Sequence, residues 1–301
     1  MTRAPVSPCG RRPALQRSTG DRGTELGRFL QSVRSRLRPE DLGLAGDGKR
    51  RRVAGLRREE VALLAGVSVN YYTRLEQGQN RNASPEVLDA LATALRLRPD
   101  ERAHLHDLVR PTHATKAPRT TERVRPGLER MIGSFESGPA VLLGRQTKVL
   151  AWNHLARILF TGYIDLTGRD GDVEPPNLAR LLFRAPGARQ LYTDWEYEAQ
   201  DLVGYLRLMH GRYSGDPELT DLITELSSNS REFAAMWSEH RVWDKSHGTR
   251  RLNHPEVGAL TLIYETFRLP EAPDQAIVLY QAEPGSPSEA TLRRLLEKRE
   301  S

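Results

Sequence analysis

Cysteine is nearly absent from this 301-residue sequence. Cys9 stands alone in a Pro- and Arg-rich opening, which excludes an intramolecular disulfide and an all-cysteine metal site and fits a reducing compartment. Long apolar runs are missing too. No segment approaches the ~18–20 uninterrupted apolar residues of a membrane span, and residues 1–22 lack the apolar core of a signal peptide. The expected location is cytoplasmic, with no membrane association. Short catalytic patterns are also lacking: there is no phosphate-cradling Gly-rich loop, no His-Glu-x-x-His pair and no Gly-x-Ser-x-Gly elbow. His104, His106 and Asp107 are the nearest metal-like group, but helix positions two apart diverge, so they read as surface side chains. His240, His247 and His254 are spread over a stretch that reads as loop. No enzyme, cofactor or metal is expected.

What is present is length for two domains and an uneven charge. The formal net charge is +6. Residues 1–115 carry 21 Lys and Arg against 13 Asp and Glu, whereas the remainder carries 24 against 26. The positive excess therefore belongs to the N-terminal third and points to an acidic partner there.

Residues 1–22 mix Arg, Pro, Ser and Gly without apolar period and are expected to be a disordered tail. From Glu25 onward, Leu26, Phe29, Leu30, Val33 and Leu37 recur at helical spacing. A Gly-containing loop and the basic run Lys49, Arg50, Arg51 and Arg52 follow. A second helix begins near Arg57, with Val61, Leu64 and Ala65 as its apolar positions, and stops at Gly66. Ser68 is placed to cap a third helix, and Ser84-Pro85-Glu86 and Pro99-Asp100-Glu101 open a fourth and a fifth. Residues 23–110 thus read as an all-α five-helix domain. A linker over 111–124 follows, rich in Pro and Thr.

The densest signal lies between Gly55 and Gly78. Ala62 lets two short helices approach, Gly66 supplies the turn, and Val67, Tyr72 and Leu75 close the core. This segment resembles the helix-turn-helix family of the phage-repressor, or xenobiotic-response-element, type over residues ~24–110. The resemblance implies binding to double-stranded operator DNA. It assigns Val69, Asn70, Thr73 and Arg74 to base edges, and Arg58, Ser68, Tyr71 and Arg81 to the DNA backbone. Arg58 stands where that family more often has glutamine. Asn70 suits adenine, Arg74 suits guanine, and Val69 can pack on a thymine methyl. The run Lys49 to Arg52 is either a phosphate-contacting arm or a solvated loop. Tyr72 is assigned to the core, and Glu76 to anchoring the helix or pairing with an arginine.

Residues 125–290 read as α+β. Val141-Leu142-Leu143 and Val149-Leu150-Ala151-Trp152 suggest a hairpin, and Asn153 can cap the helix after it. Helical patterns follow at roughly 177–184, 194–212, 216–226 and 230–239. Strands return at 260–267 and 275–281, with Pro270 to Asp274 as the turn. Apolar residues fall on both faces of 260–267, so helices should cover at least one. Residues 291–301 are expected to be a tail or a helix end.

This half resembles the MmyB-like ligand-binding domains of actinobacterial regulators. The resemblance rests on Val149-Leu150-Ala151-Trp152-Asn153, Asp194-Trp195-Glu196, Phe233 with Trp237 and His240, His254-Pro255-Glu256-Val257-Gly258, and Ala282-Glu283-Pro284-Gly285-Ser286. It implies a PAS-like fold with an antiparallel sheet that holds a small apolar, fatty-acid-like molecule. Trp152, Trp195, Phe233, Trp237 and Tyr264 are the candidate pocket residues. The expectation is a homodimeric, ligand-responsive transcriptional regulator. A second reading has the C-terminal domain bind a protein partner and no small molecule.

Overall fold

Amphipathic spacing becomes packing in a computed structural model that describes residues 19–44, 55–80, 82–109, 122–161 and 176–297. Residues 1–18 of the expected tail, Lys49, Arg50, Arg51 and Arg52, Arg81, and the linker up to residue 121 lie outside the described residues.

The N-terminal helices are α1 (Thr19–Arg36), α2 (Arg58–Leu64), α3 (Val69–Glu76), α4 (Pro85–Ala94) and α5 (Pro99–Val109), with a 3-10 turn at Pro39–Leu42. Leu26, Phe29, Leu30 and Val33 bury one stripe of α1. That helix starts at Thr19, so the end of the expected 1–22 tail is helical instead. Once a turn has nucleated on the apolar stripe, extending it backwards through polar residues costs little. Gly66 (φ 66°) takes the left-handed conformation that turns the chain after α2, and Ser68 Oγ then accepts from the Tyr71 amide at 3.1 Å. Ser84 Oγ accepts from the Val87 amide at 3.4 Å, with Pro85 opening α4. One expected core position is corrected. Val61, Ala62 and Ala65 are buried, whereas Leu64 is 38% exposed, because it falls off the edge of the arc those three define.

The C-terminal region comprises α6 (Pro126–Gly133), β1 (Ala140–Leu143), β2 (Val149–Trp152), α7 (His154–Thr161), α8 (Leu178–Arg184), α9 (Ala188–Leu191) and α10 (Trp195–Arg212). It continues through α11 (Pro217–Asn229), α12 (Arg231–Ser238), β3 (His247–His254), β4 (Gly258–Leu269), β5 (Ala272–Gln281) and α13 (Pro287–Glu297). The five strands form one antiparallel sheet in the order β2-β1-β5-β4-β3. Asn153 Oδ1 accepts from the Ala156 amide at 2.9 Å, capping α7, and from the Ala140 amide at 3.0 Å, tying that helix to the sheet.

Leu128 and Ile132 of α6 pack on Ala140 and Leu142. Leu155 and Leu159 of α7 and Leu292 and Leu295 of α13 share a core with Val141, Leu260, Leu262 and Tyr264. At β4 only that second face is covered, and Ile263 and Phe267 are exposed. Two elements depart from the sequence reading. His247 to His254, read as loop, is the edge strand β3, whose polar sequence hides the alternation that marks β4. The turn before β5 is also shorter than expected, since the strand starts at Ala272. Residues 291–297, expected as a tail or a helix end, are the end of a helix that contributes to the core.

The two halves are joined by one continuous core. Phe29, Leu105 and Leu108 from the N-terminal helices cluster with Val203 and Leu206 of α10, Phe233 of α12 and Val242.

Candidate DNA-reading face and ligand cavity

Helix α3 presents two faces. Tyr72 and Leu75 are fully buried, while Asn70 and Arg74 are exposed, Val69 is 41% exposed and Thr73 is half-buried. Val69, Asn70, Thr73 and Arg74 thus share one outward arc. Gln77 at the C-cap is exposed one turn beyond Thr73 on that arc and was missed in the sequence reading, although its spacing of four from Thr73 carried the signal. Tyr71 is half-buried against the core, and Ser68 spends its hydroxyl on the cap. Among the described residues no carboxylate pairs with Arg74.

A buried clasp fixes this helix. Glu76 Oε1 accepts from Arg34 Nε at 2.6 Å and its Oε2 from Arg58 Nε at 2.7 Å, while Arg34 also donates to the Leu56 carbonyl at 2.6 Å. Burial by itself would raise the Glu76 carboxyl, but hydrogen bonds from Arg34 and Arg58 outweigh it and hold the group below its usual range. Arg58, expected at phosphate, is therefore engaged within the protein, though its side chain remains 44% exposed at the start of α2. Glu76 pairs with two arginines at once.

A cavity of about 120 Å³ lies between α10 and the inner face of the sheet. Glu198, Asp201, Leu202 and Tyr205 supply its helical wall, at the i, i+3, i+4, i+7 spacing of a single stripe. Tyr264, Thr266, Val278 and Tyr280 face them from β4 and β5, and Arg250 comes from β3. Of the expected pocket residues only Tyr264 lines this space. Trp152 packs against the sheet core. Trp195 is buried against Phe183, with its indole donating to the Leu182 carbonyl at 3.1 Å. Phe233 and Trp237 stack on each other in the core between the two halves. Large aromatic side chains signal burial here rather than a ligand.

The wall is also more polar than expected. Arg250 meets Glu198 at 2.6 Å and donates to the Tyr280 hydroxyl at 2.6 Å, within a cage of Tyr192, Tyr264 and Tyr280 rings. Its Nε is buried and finds no partner among the described residues. Lys245 lies 3.6 Å from Asp201, and Arg268 lies 2.5 Å from Asp244. Burial pushes the Asp201 carboxyl up to about 6 despite the nearby Lys245 and Arg250. Sequence reading missed Glu198, Asp201 and Arg250, because charged residues on an amphipathic helix or an edge strand normally point to water.

The opposite side of α10 meets the N-terminal helices. Arg207 is buried, ion-paired with Glu25 of α1, and donates to the Trp237 carbonyl. Its guanidinium also sits 2.9 Å from His240 Nδ1 and lies 3.9 Å over the Trp237 ring. Burial would raise the Glu25 carboxyl, but His240 and Arg207 together hold it at about 2. Beside this group His104, expected at the surface, is wholly buried edge-on to Phe29, and neither ring nitrogen has a partner among the described residues. Desolvation, reinforced by Arg207, lowers it to about 3, so the imidazole is neutral at physiological pH. Gly211 makes room for it, since a Cβ there would lie 2.5 Å from the ring. His106 instead pairs with Asp89 at 2.9 Å. Among the described residues no three His, Cys, Asp or Glu side chains converge to hold a metal, and no helix is long and apolar enough to cross a membrane.

Residues 25–105 match a helix-turn-helix domain, and residues 124–296 match the MmyB-like transcription regulator ligand binding domain. No curated protein matches the chain. The two matched regions coincide with the two places where geometry offers a site: an outward helix face on a basic N-terminal third, and a cavity under the C-terminal sheet. With more than half of its length matched by the ligand-binding domain, and a helix-turn-helix domain preceding it, this DNA-binding protein belongs to the family of MmyB-like transcription regulators.

Proposed function

We propose that the protein is a homodimeric, sequence-specific regulator whose grip on its operator responds to a small molecule held in the cavity. Val69, Asn70, Thr73 and Arg74 read bases, joined by Gln77. Arg58, Ser68, Tyr71, Arg81 and the run Lys49, Arg50, Arg51 and Arg52 contact the DNA backbone. Asn70 and Arg74 each supply about 1–3 kcal/mol of discrimination.

The observation that carries the ligand response is the double role of α10. Its cavity stripe, Glu198, Asp201, Leu202 and Tyr205, lies on the opposite side of the helix from Val203, Arg207 and Gly211, which pack toward the DNA-binding half. A ligand that shifts α10 must disturb Arg207 and His104 together. Such coupling requires a ligand with different affinity for two arrangements of the halves, and an interface that buries a histidine without a partner among the described residues favours a second, more hydrated arrangement. The cavity also favours a small molecule over a protein partner for this half.

Selection of bound sequences from a random DNA pool by the full chain tests the proposal. The expected product is a two-fold symmetric site with half-sites about one helical turn, ~34 Å, apart. A single asymmetric half-site bound by one protomer would sink the dimeric reading.

A further inference from the structure

Taking the cavity as the ligand site, we propose that it accepts a small uncharged ring compound, and not a long-chain carboxylate. Three features carry this. First, the formal charges of the wall cancel, because Glu198 is paired with Arg250, Asp201 with Lys245 and Asp244 with Arg268. A carboxylate entering this space would be stripped of water without gaining a free cation, and could pair only by displacing Glu198 or Asp244. Second, the Arg250 guanidinium is already committed to Glu198 and the Tyr280 hydroxyl, so it is not free to receive an anion. The carboxyl of Asp201, raised to about 6, stays ionised at neutral pH and would repel an incoming anion. Third, size and surface suit a ring. The volume of about 120 Å³ is close to the ~150 Å³ cavity known to hold benzene, and far short of an extended acyl chain. The rings of Tyr192, Tyr264 and Tyr280 supply π surface around the Arg250 guanidinium, and Leu178, Leu182 and Val278 supply apolar contact.

The matched pair 4-hydroxyacetophenone and 4-hydroxybenzoate, nearly equal in shape and differing in charge, tests this on the full chain at neutral pH, with myristate as the long-chain anion. Affinities are read by ligand-observed NMR and calorimetry. The ketone is expected to bind at least about tenfold more tightly than the benzoate. Asp201→Asn leaves the wall with one uncompensated positive charge and should shift that ratio about tenfold toward the benzoate. Asp244→Asn, at the more exposed of the two carboxylates, should shift it the same way and serves if Asp201→Asn misfolds. If 4-hydroxybenzoate or myristate binds the unmodified protein as well as the ketone does, the uncharged-ligand inference is overturned while the cavity stands as a ligand site. A ratio that neither variant moves overturns the charge-balance argument. If none of the three compounds binds, the cavity is not the ligand site and the inference falls with that reading.

Discussion

Two buried ionic groups in this molecule use the same chemistry to opposite ends. In the helix-turn-helix domain Glu76 is held between Arg34 and Arg58, and both carboxylate oxygens are satisfied. Between the two halves, Glu25 and Arg207 are paired, but Arg207 Nε and both nitrogens of His104 lack partners among the described residues. The first group has each of its charges paired, although the Tyr72 hydroxyl beside it is buried without a partner among the described residues, so opening it brings chiefly loss. The second is incomplete, so water entering on opening recovers part of the cost. On the proposed reading, the difference separates a scaffold that fixes α3 from a joint that can move.

Breaking the scaffold should have the largest effect. Glu76→Ala leaves the buried Arg34 guanidinium without its carboxylate, beside the half-exposed Arg58, and is expected to cost about 3 kcal/mol in chemical denaturation, with operator binding lost as α3 loosens. Unchanged stability would mean that the clasp holds nothing. Arg207→Met attacks the joint and should cost less, about 2 kcal/mol, since the vacated site can hydrate. Limited proteolysis should cut faster between the halves, while affinity of the N-terminal region for operator DNA stays within about threefold. Equal loss of DNA binding in both variants would erase the distinction.

Acid sharpens the comparison further. Folded His104 takes up a proton only near pH 3, whereas the unfolded chain does so near 6.5, so between those values the unfolded state binds more protons. Stability should therefore fall as pH drops below 6.5, by up to about 1.4 kcal/mol per pH unit. Glu25, held at about 2 when folded against 4.5 otherwise, adds a second loss below pH 4.5. Urea midpoints at pH 7, 6 and 5 measure the slope, and His104→Leu should flatten it. The smallest effects belong to the DNA face. Arg74→Ala should relax preference at one operator position by about 1 kcal/mol. Arg58→Ala should weaken all sequences alike and reduce the salt slope by about one, both readable in gel-shift titrations.

Local chemistry was legible in the sequence wherever one segment determines its own state. The caps at Ser68, Ser84 and Asn153, the turn at Gly66 and the buried stripe of α1 all follow from neighbours a few residues apart. The outward arc of α3 follows from its period alone. What stayed hidden depends on packing between distant segments. The sequence from His247 to His254 is polar and becomes a strand because it pairs with β4. Arg250 and Glu198 form a buried pair only because β3 lies across from α10, and no local pattern distinguishes them from surface charges. The tryptophans lie off the cavity for the converse reason. A large amphipathic ring is stabilised by burial in any core, and three of the chosen aromatic residues fill the cores beside α10.

Helix α10 carries cavity residues and joint residues interleaved along thirteen or so positions of one rigid element. Each residue inserted or deleted there turns everything beyond it by about 100°. A single-residue length change between Asp201 and Arg207 would keep Glu198 in the cavity and swing Arg207 away from Glu25. On the proposed reading, substitutions would retune what the protein senses without touching how it answers, but the spacing between the two is locked by the pitch of the helix. Homologues with altered ligand preference are thus expected to vary in side chains along this segment and hold its length constant.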